Sequence, residues 1–218
     1  PQIALLFEET LKNVQRKYSA HVSLPPAVVE AYTLSIKHQT TVRRFWSRAP
    51  LTCVHGDAHI GNVFFEKSLE EPTNRAKETM GFVDLQCFAA ENCMRDVAYH
   101  LITSYPEECL PAEERELIRC YLSDLRRAYA LAHGGQECAD LPSEEEAWWQ
   151  YRCHSLHALH AFMISAGFMD LMVEEAAARV VQRVVNHCHR LDLLGAVKGM
   201  IAAVQEEDAR AGVARKQD

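Results

Sequence analysis

One segment constrains this chain more than any other: Val54-His55-Gly56-Asp57-Ala58-His59-Ile60-Gly61-Asn62, or VHGDAHIGN. Its glycines make it a poor helix, since each costs about 1 kcal/mol relative to alanine in a helix interior. The polar residues between them make it an equally poor strand. It reads as a shaped loop, and defined polar residues on such loops are where chemistry tends to sit. Leu51-Thr52-Cys53-Val54 leads into the loop, and Asn62-Val63-Phe64-Phe65-Glu66 leads out. After a polar stretch with Pro72 and Asn74, Met80-Gly81-Phe82-Val83-Asp84-Leu85-Gln86 forms another short apolar run. Two such runs around a polar connection predict a hairpin.

Everything around this β island carries helical spacing. Ile3, Leu5, Leu6, Leu11 and Val14 predict a helix from Ile3 to Tyr18. A second helix is expected from Ser23, acting as cap, through Trp46, with prolines in its first turn and Pro50 ending the pattern. From Asp96, read as an N-cap, helices follow one another. One runs from Pro111 to Gly134-Gly135 and one from Pro142-Ser143 to Gly167. A third runs from Asp170 to near Gly195, and the tail adds another before the polar end Ala214-Arg215-Lys216-Gln217-Asp218. The expected class is therefore predominantly helical α+β, with a small β hairpin carrying the loop.

Composition narrows the chemistry. With 218 residues and 48% hydrophobic content the chain can bury a sizeable core. Its net charge of -7 argues against a nucleic-acid partner, which needs clustered Lys and Arg. Eight dispersed cysteines, with no signal peptide, fit reduced thiols in a cytoplasmic protein better than a disulfide framework. No apolar run approaches the roughly 20 residues of a membrane span.

Asp57 and Asn62 on one loop, and Asp84 ending a neighbouring strand, can converge on one point. Hard oxygen donors of this kind suit Mg²⁺ bound to substrate phosphates. A remaining carboxylate can accept a proton from an attacking hydroxyl, which completes the parts of phosphoryl transfer.

His-Gly-Asp-Ala-His-Ile-Gly-Asn, then Gly-Phe-Val-Asp-Leu-Gln, then Arg-Asp-Val-Ala-Tyr, resembles the aminoglycoside phosphotransferase and choline kinase-like family. His55, Gly56, Asp57 and Asn62 match its H-G-D-x-x-x-x-N loop. Asp84 and Gln86 match its second motif, and Asp96 the Asp that opens the next helix. The resemblance spans about Pro25 to Gly195. It implies the large lobe of a protein-kinase-like fold, with ATP as co-substrate, Mg²⁺ as cofactor and a small-molecule hydroxyl as acceptor. In that likeness Asp57 is the catalytic base, and Asn62 and Asp84 hold Mg²⁺ on the nucleotide. His55 and Asp96 position the loop, Gln86 supports Asp84, and His59 either shapes the loop or joins the site.

One departure bears on activity. A kinase-like small lobe carries a phosphate-covering loop and a strand lysine. Here no glycine precedes Gly56, and Lys12, Lys17 and Lys37 lie in helical patterns. The expectation is a single large-lobe domain over 1–218, with a helical lead-in (1–50), the loop and hairpin (51–100) and a helical subdomain (101–218). Its small lobe is missing, as in a piece of a longer chain beginning before Pro1, and activity alone is low. The alternative is an inactive remnant that serves as a binding module. A zinc protein using His154, His157 and His160, or His187, Cys188 and His189, is a third reading, set against histidines simply packed in the core. Trp148 and Trp149 are expected to pack on the lobe. Glu144 to Glu146, Asp170, Glu174 and Glu175 either line a cationic acceptor site or form a solvated face.

Overall fold

The computed structural model describes residues 2–66, 79–168 and 174–214. The expectations for Pro72, Asn74, Asp170 and Arg215 to Asp218 lie outside the described residues.

The first helix, α1 (Gln2–Lys17), buries Phe7, Thr10 and Val14 and leaves Leu5 and Leu6 exposed. The stripe facing the core is thus Phe7, Leu11, Val14 and Tyr18, at spacings of three and four, and not the one centred on Leu5 and Leu6. The single helix expected from Ser23 to Trp46 is two: α2 (Pro26–Lys37) and α3 (Gln39–Trp46), broken at His38 (φ -108°, ψ 30°). Ser23 does not cap α2. Pro25 stands at that position, and the Ser23 N–H donates instead to Gln182 Oε1 (2.6 Å). The bend turns Phe45 edge-on to Trp149 and lays Trp46 flat on His154.

The β island is two separate antiparallel pairs. β2 (Val63–Glu66) and β3 (Thr79–Phe82) form the expected hairpin, with Val63 opposite Phe82. β1 (Leu51–Val54) pairs instead with β4 (Ala89–Asn92), Val54 opposite Ala89. The sequence Ala-Ala-Glu-Asn carries no β-branched alternation, so only its position beside β1 makes it a strand. Phe64, Phe65, Met80, Val83, Leu85 and Phe88 of the island are apolar and exposed.

Among the described residues five further helices follow. They are α4 (Met94–Ser104), α5 (Leu110–Ala132), α6 (Glu144–Phe168), α7 (Glu174–Arg190) and α8 (Leu193–Ala214). The helix expected to run to Gly195 stops at Arg190. Asp192 takes a left-handed φ of 51°, and its Oδ1 accepts the Gly195 N–H in the first turn of α8. α6 is the axis of the molecule, packing against α1, α4, α5, α7 and α8. Buried residues surround it, among them Tyr151, His154, Leu156, Leu159 and Met163, as expected of a helix enclosed on all sides. Ser143 and Glu146 close its N-terminus as a capping box: Ser143 Oγ accepts the Glu146 N–H, and Glu146 Oε2 accepts the Ser143 N–H. Trp148 stacks on Tyr151, and Trp149 covers Gly199.

An ion pair between the buried Glu114 and the partly exposed Arg190 ties three helices together. The Arg190 guanidinium on α7 donates to both oxygens of Glu114 on α5 (2.6 and 2.7 Å), and Tyr151 of α6 donates to the same carboxylate (3.3 Å). Removing one partner strands the other charge. Arg190→Ala is expected to cost about 3–5 kcal/mol in urea unfolding.

The α6 histidines set a second expectation. Burial, aided by neighbouring positive charge, lowers His154 to about 3, His157 to about 4 and His160 to about 3. Below the ordinary value near 6.5 the unfolded chain takes up protons that the folded chain refuses, so stability falls as pH falls. Between about pH 6 and pH 4 the three together remove roughly 4 kcal/mol per pH unit. The pH dependence of urea unfolding for His154→Leu should be shallower by about a third of that slope.

Candidate active site

The loop leaves β1 at the buried Val54 and is clasped at once. The N–H groups of His55 and Gly56 both donate to the Asp96 carboxylate, at 2.5 and 3.0 Å. Gly56 has a left-handed φ of 83°, and a Cβ there would overlap the Cys87 carbonyl, so this position demands glycine. His55 then bridges inward and outward. Its Nδ1 accepts the Asp57 N–H (3.2 Å), which leaves the ring proton on Nε2 to donate to the Val83 carbonyl (2.7 Å). The Val83 N–H donates back to the Asn62 carbonyl (2.9 Å). Val83 is therefore fastened to the loop through both its peptide groups. The next residue, Asp84, sits in the left-handed region (φ 62°, ψ 60°) with its side chain exposed.

Asp57 is half-buried at the centre. Its Oδ1 accepts the Tyr99 hydroxyl (2.8 Å). Asn62 Nδ2 donates to the Asp57 carbonyl (2.9 Å) and lies 3.3 Å from Oδ2. His59 Nε2 is 3.7 Å from Oδ2. Hydrogen bonds or close approach thus join Asp57, Asn62, His55, His59 and Asp96 directly, while Asp84 reaches them through Val83. Gln86 touches only Asp84, with Nε2 3.4 Å from Oδ2.

Asp96 does not cap its helix, contrary to expectation. It is the third residue of α4, and Asn92 Oδ1 accepts the Met94 N–H (2.9 Å) at that end. Freed from capping, the Asp96 carboxylate turns back to the loop. An acid in the first turn is also favoured by the helix dipole. Three further residues of α4 grip the loop. Besides Tyr99, His100 Nδ1 donates to the Ala58 carbonyl (2.8 Å), and Ser104 Oγ accepts the Ile60 N–H (2.8 Å). Positions 96, 99, 100 and 104 share one helical face. That polar stripe was readable in Asp-Val-Ala-Tyr-His-Leu-Ile-Thr-Ser, but nothing local said what it faces. On the other side His157 Nε2 of α6 lies 3.4 Å from the Gly56 carbonyl.

The donor set suits Mg²⁺. Asn62 commits its amide nitrogen to Asp57, so its oxygen is the atom left for a cation, and Asp84 offers an exposed carboxylate. Among the described residues no three His, Cys, Asp or Glu side chains gather as a metal cage. One carboxylate and one amide, completed by phosphate and water, is the pattern Mg²⁺ uses.

The other candidates have different employment. His160 Nε2 meets Ser35 Oγ (2.9 Å), His154 stacks on Trp46, and His187 Nδ1 meets Arg190 (3.2 Å). Glu144 and Glu145 pair with Arg119 and Arg115, and Glu146 serves the cap. Glu174 and Glu175 are exposed. No helix among the described residues is long and apolar enough to cross a membrane.

Replacing Asp96 with Asn supplies one acceptor oxygen for two N–H groups. Asp96→Asn is expected to lose about 1–3 kcal/mol and to raise amide hydrogen exchange selectively at His55 and Gly56.

The model of the ecdysteroid kinase-like family matches residues 6–133, from α1 through the loop, the hairpin and α4 to the end of α5. No curated protein and no solved structure matches the chain.

Proposed function

The chain belongs to the ecdysteroid kinase-like family, a branch of the protein-kinase-like superfamily related to choline kinase-like enzymes, and on that premise we propose that it uses ATP and Mg²⁺ to phosphorylate a small-molecule hydroxyl. The aminoglycoside likeness has no such match behind it. The observation that carries the proposal is the state of Asp57: one carboxylate oxygen capped by Tyr99, the other turned to an open, half-exposed space beside Asn62.

In this reading Asp57 accepts the proton of the attacking hydroxyl. Asp96 and His55 hold the loop so that the carboxylate needs no reorientation in the transition state, and such positioning supplies much of the rate in phosphoryl transfer. Asn62 and Asp84 would hold Mg²⁺. When bound, the ion neutralises charge on the β- and γ-phosphates. Gln86 steadies Asp84.

In this reading the chain is one large-lobe unit, which is supported by α6 packing against helices from before and after the loop. Residues 2–50 contain no glycine, and Lys12, Lys17 and Lys37 lie on α1 and α2. A phosphate-covering lobe is therefore a further requirement for fast turnover, with the exposed apolar residues of the island as its seat. Those same residues favour the second reading, a non-catalytic binding module.

The acceptor is a small alcohol. An ecdysteroid, being a polyhydroxylated sterol, is the first to try, beside choline and an aminoglycoside. Asp57→Asn should lower transfer by about 10²–10⁴-fold while Mg-ATP binding survives. Asp84→Asn should weaken Mg-ATP binding itself. Calorimetry and a coupled ADP assay on both variants check this. Wild-type turnover in Asp57→Asn would remove the base assignment, and absence of Mg-ATP binding in the wild type would favour the binding module.

A further inference from the structure

We propose that Asp57 Oδ2 and His59 Nε2 together form the seat of the acceptor hydroxyl, and that Tyr99 decides which carboxylate oxygen faces it. The inference rests on the phosphotransferase reading and adds to it a residue that touches the acceptor and a rule for what it accepts.

The sequence fixes the His59 ring. Gly61, two residues on, donates its N–H to His59 Nδ1 (3.0 Å). That nitrogen is therefore an acceptor, and the ring proton resides on Nε2. A Cβ on residue 61 would lie 2.8 Å from Cε1 and 2.9 Å from Nδ1, so only glycine lets the ring settle there. The backbone on either side is tied as well. The His59 N–H donates to the Asp57 carbonyl (2.9 Å), and the Ile60 N–H to Ser104 Oγ (2.8 Å). The Nε2–H is thus a placed donor.

Among the described residues it makes no hydrogen bond. Asp57 Oδ2 is 3.7 Å away, too far for a direct hydrogen bond. An oxygen about 2.8 Å from both atoms fits, closing a triangle with an angle near 80° at the oxygen. Both side chains are about a third exposed (34% and 30%), so the gap opens to solvent.

Tyr99 makes the choice of oxygen unambiguous. Its ring is buried, and burial together with the bond to Asp57 holds the phenol well above its usual range. It therefore keeps its proton and donates it to Oδ1 (2.8 Å). Oδ2, which takes only a long bond from Asn62 Nδ2 (3.3 Å), has a lone pair left to serve the acceptor.

In the transfer step the hydroxyl proton passes to Asp57 Oδ2. The freed electron pair on oxygen forms the bond to the γ-phosphorus. The bond from that phosphorus to the β–γ bridging oxygen breaks, and its pair departs with ADP. His59 keeps its proton throughout and fixes the direction of the oxygen lone pair. The seat offers one acceptor and one donor, so it matches a group that both donates and accepts. A hydroxyl qualifies. An ammonium group, which only donates, meets the His59 N–H head-on and is refused.

The test has one arm independent of activity. In ¹⁵N-histidine NMR of the full chain, His59 should be the Nε2–H tautomer, and the Nδ1–H tautomer would overturn the seat. The second arm is kinetic, with ecdysone as the probe. His59→Leu should raise KM for ecdysone by about tenfold or more and leave KM for ATP within about twofold. His59→Gln, which restores an N–H donor, should recover most of that loss. Tyr99→Phe should lower kcat by about tenfold with both KM values held. Equal KM for ecdysone in wild type, His59→Leu and His59→Gln would overturn the proposal. A wild type with the Nε2–H tautomer that binds no Mg-ATP would overturn the phosphotransferase reading, and the seat with it.

Discussion

The Asp96 carboxylate gripping two consecutive backbone N–H groups is the interaction on which the rest of the site depends. His55 and Gly56 can present their amides to one side chain only because Gly56 adopts a left-handed φ with the Cys87 carbonyl against its Cα. Charge-assisted bonds of this kind are roughly twice as strong as neutral ones. They fix the loop to α4, and α4 is fixed to the core through Met94, Ala98, Leu101 and Ile102. The loop thus inherits the rigidity of a helix although it has almost no regular structure of its own. Tyr99, His100 and Ser104 extend the grip along its length.

Behind this assembly α6 does two jobs. Its small residues let other helices approach: a Cβ on Gly167 would lie only 3.2–3.3 Å from Thr10 of α1. Its histidines reach where aliphatic side chains have no hydrogen bond to give, with His157 at the Gly56 carbonyl and His160 at Ser35. Their regular spacing invites a metal reading, yet all three rings gather around Trp46, and among the described residues only His157 and His160 find polar partners. Being buried, they stay neutral, which stabilises the core near neutral pH and makes it sensitive to acid.

The family match spans α1, the loop, the hairpin, α4 and α5. The family match ends with α5, so α6 to α8 carry the core without carrying the family signal. The loop and the hairpin lie within the matched part.

Much of this was legible in the sequence. The helices around Leu110–Ala132 and Glu144–Phe168, the hairpin from Val63 to Phe82 and the loop from His55 to Asn62 all announce themselves through periodicity, caps and glycine placement. These are local properties, decided by side-chain spacing and backbone sterics within a few residues. The sequence failed where neighbours distant in the chain decide. Asp96 looked like a cap and became a clasp, because Asn92 took the capping and the loop lay within reach. Ala89–Asn92 became a strand because β1 stood beside it, and Ser23 lost its cap to a bond with Gln182. The sequence by itself determined which side chains were available for chemistry. Only tertiary structure decided which oxygen of Asp57 takes the Tyr99 proton and how far His59 stands from the other, since a hydrogen bond depends on distances of tenths of an ångström that no spacing along a chain can specify.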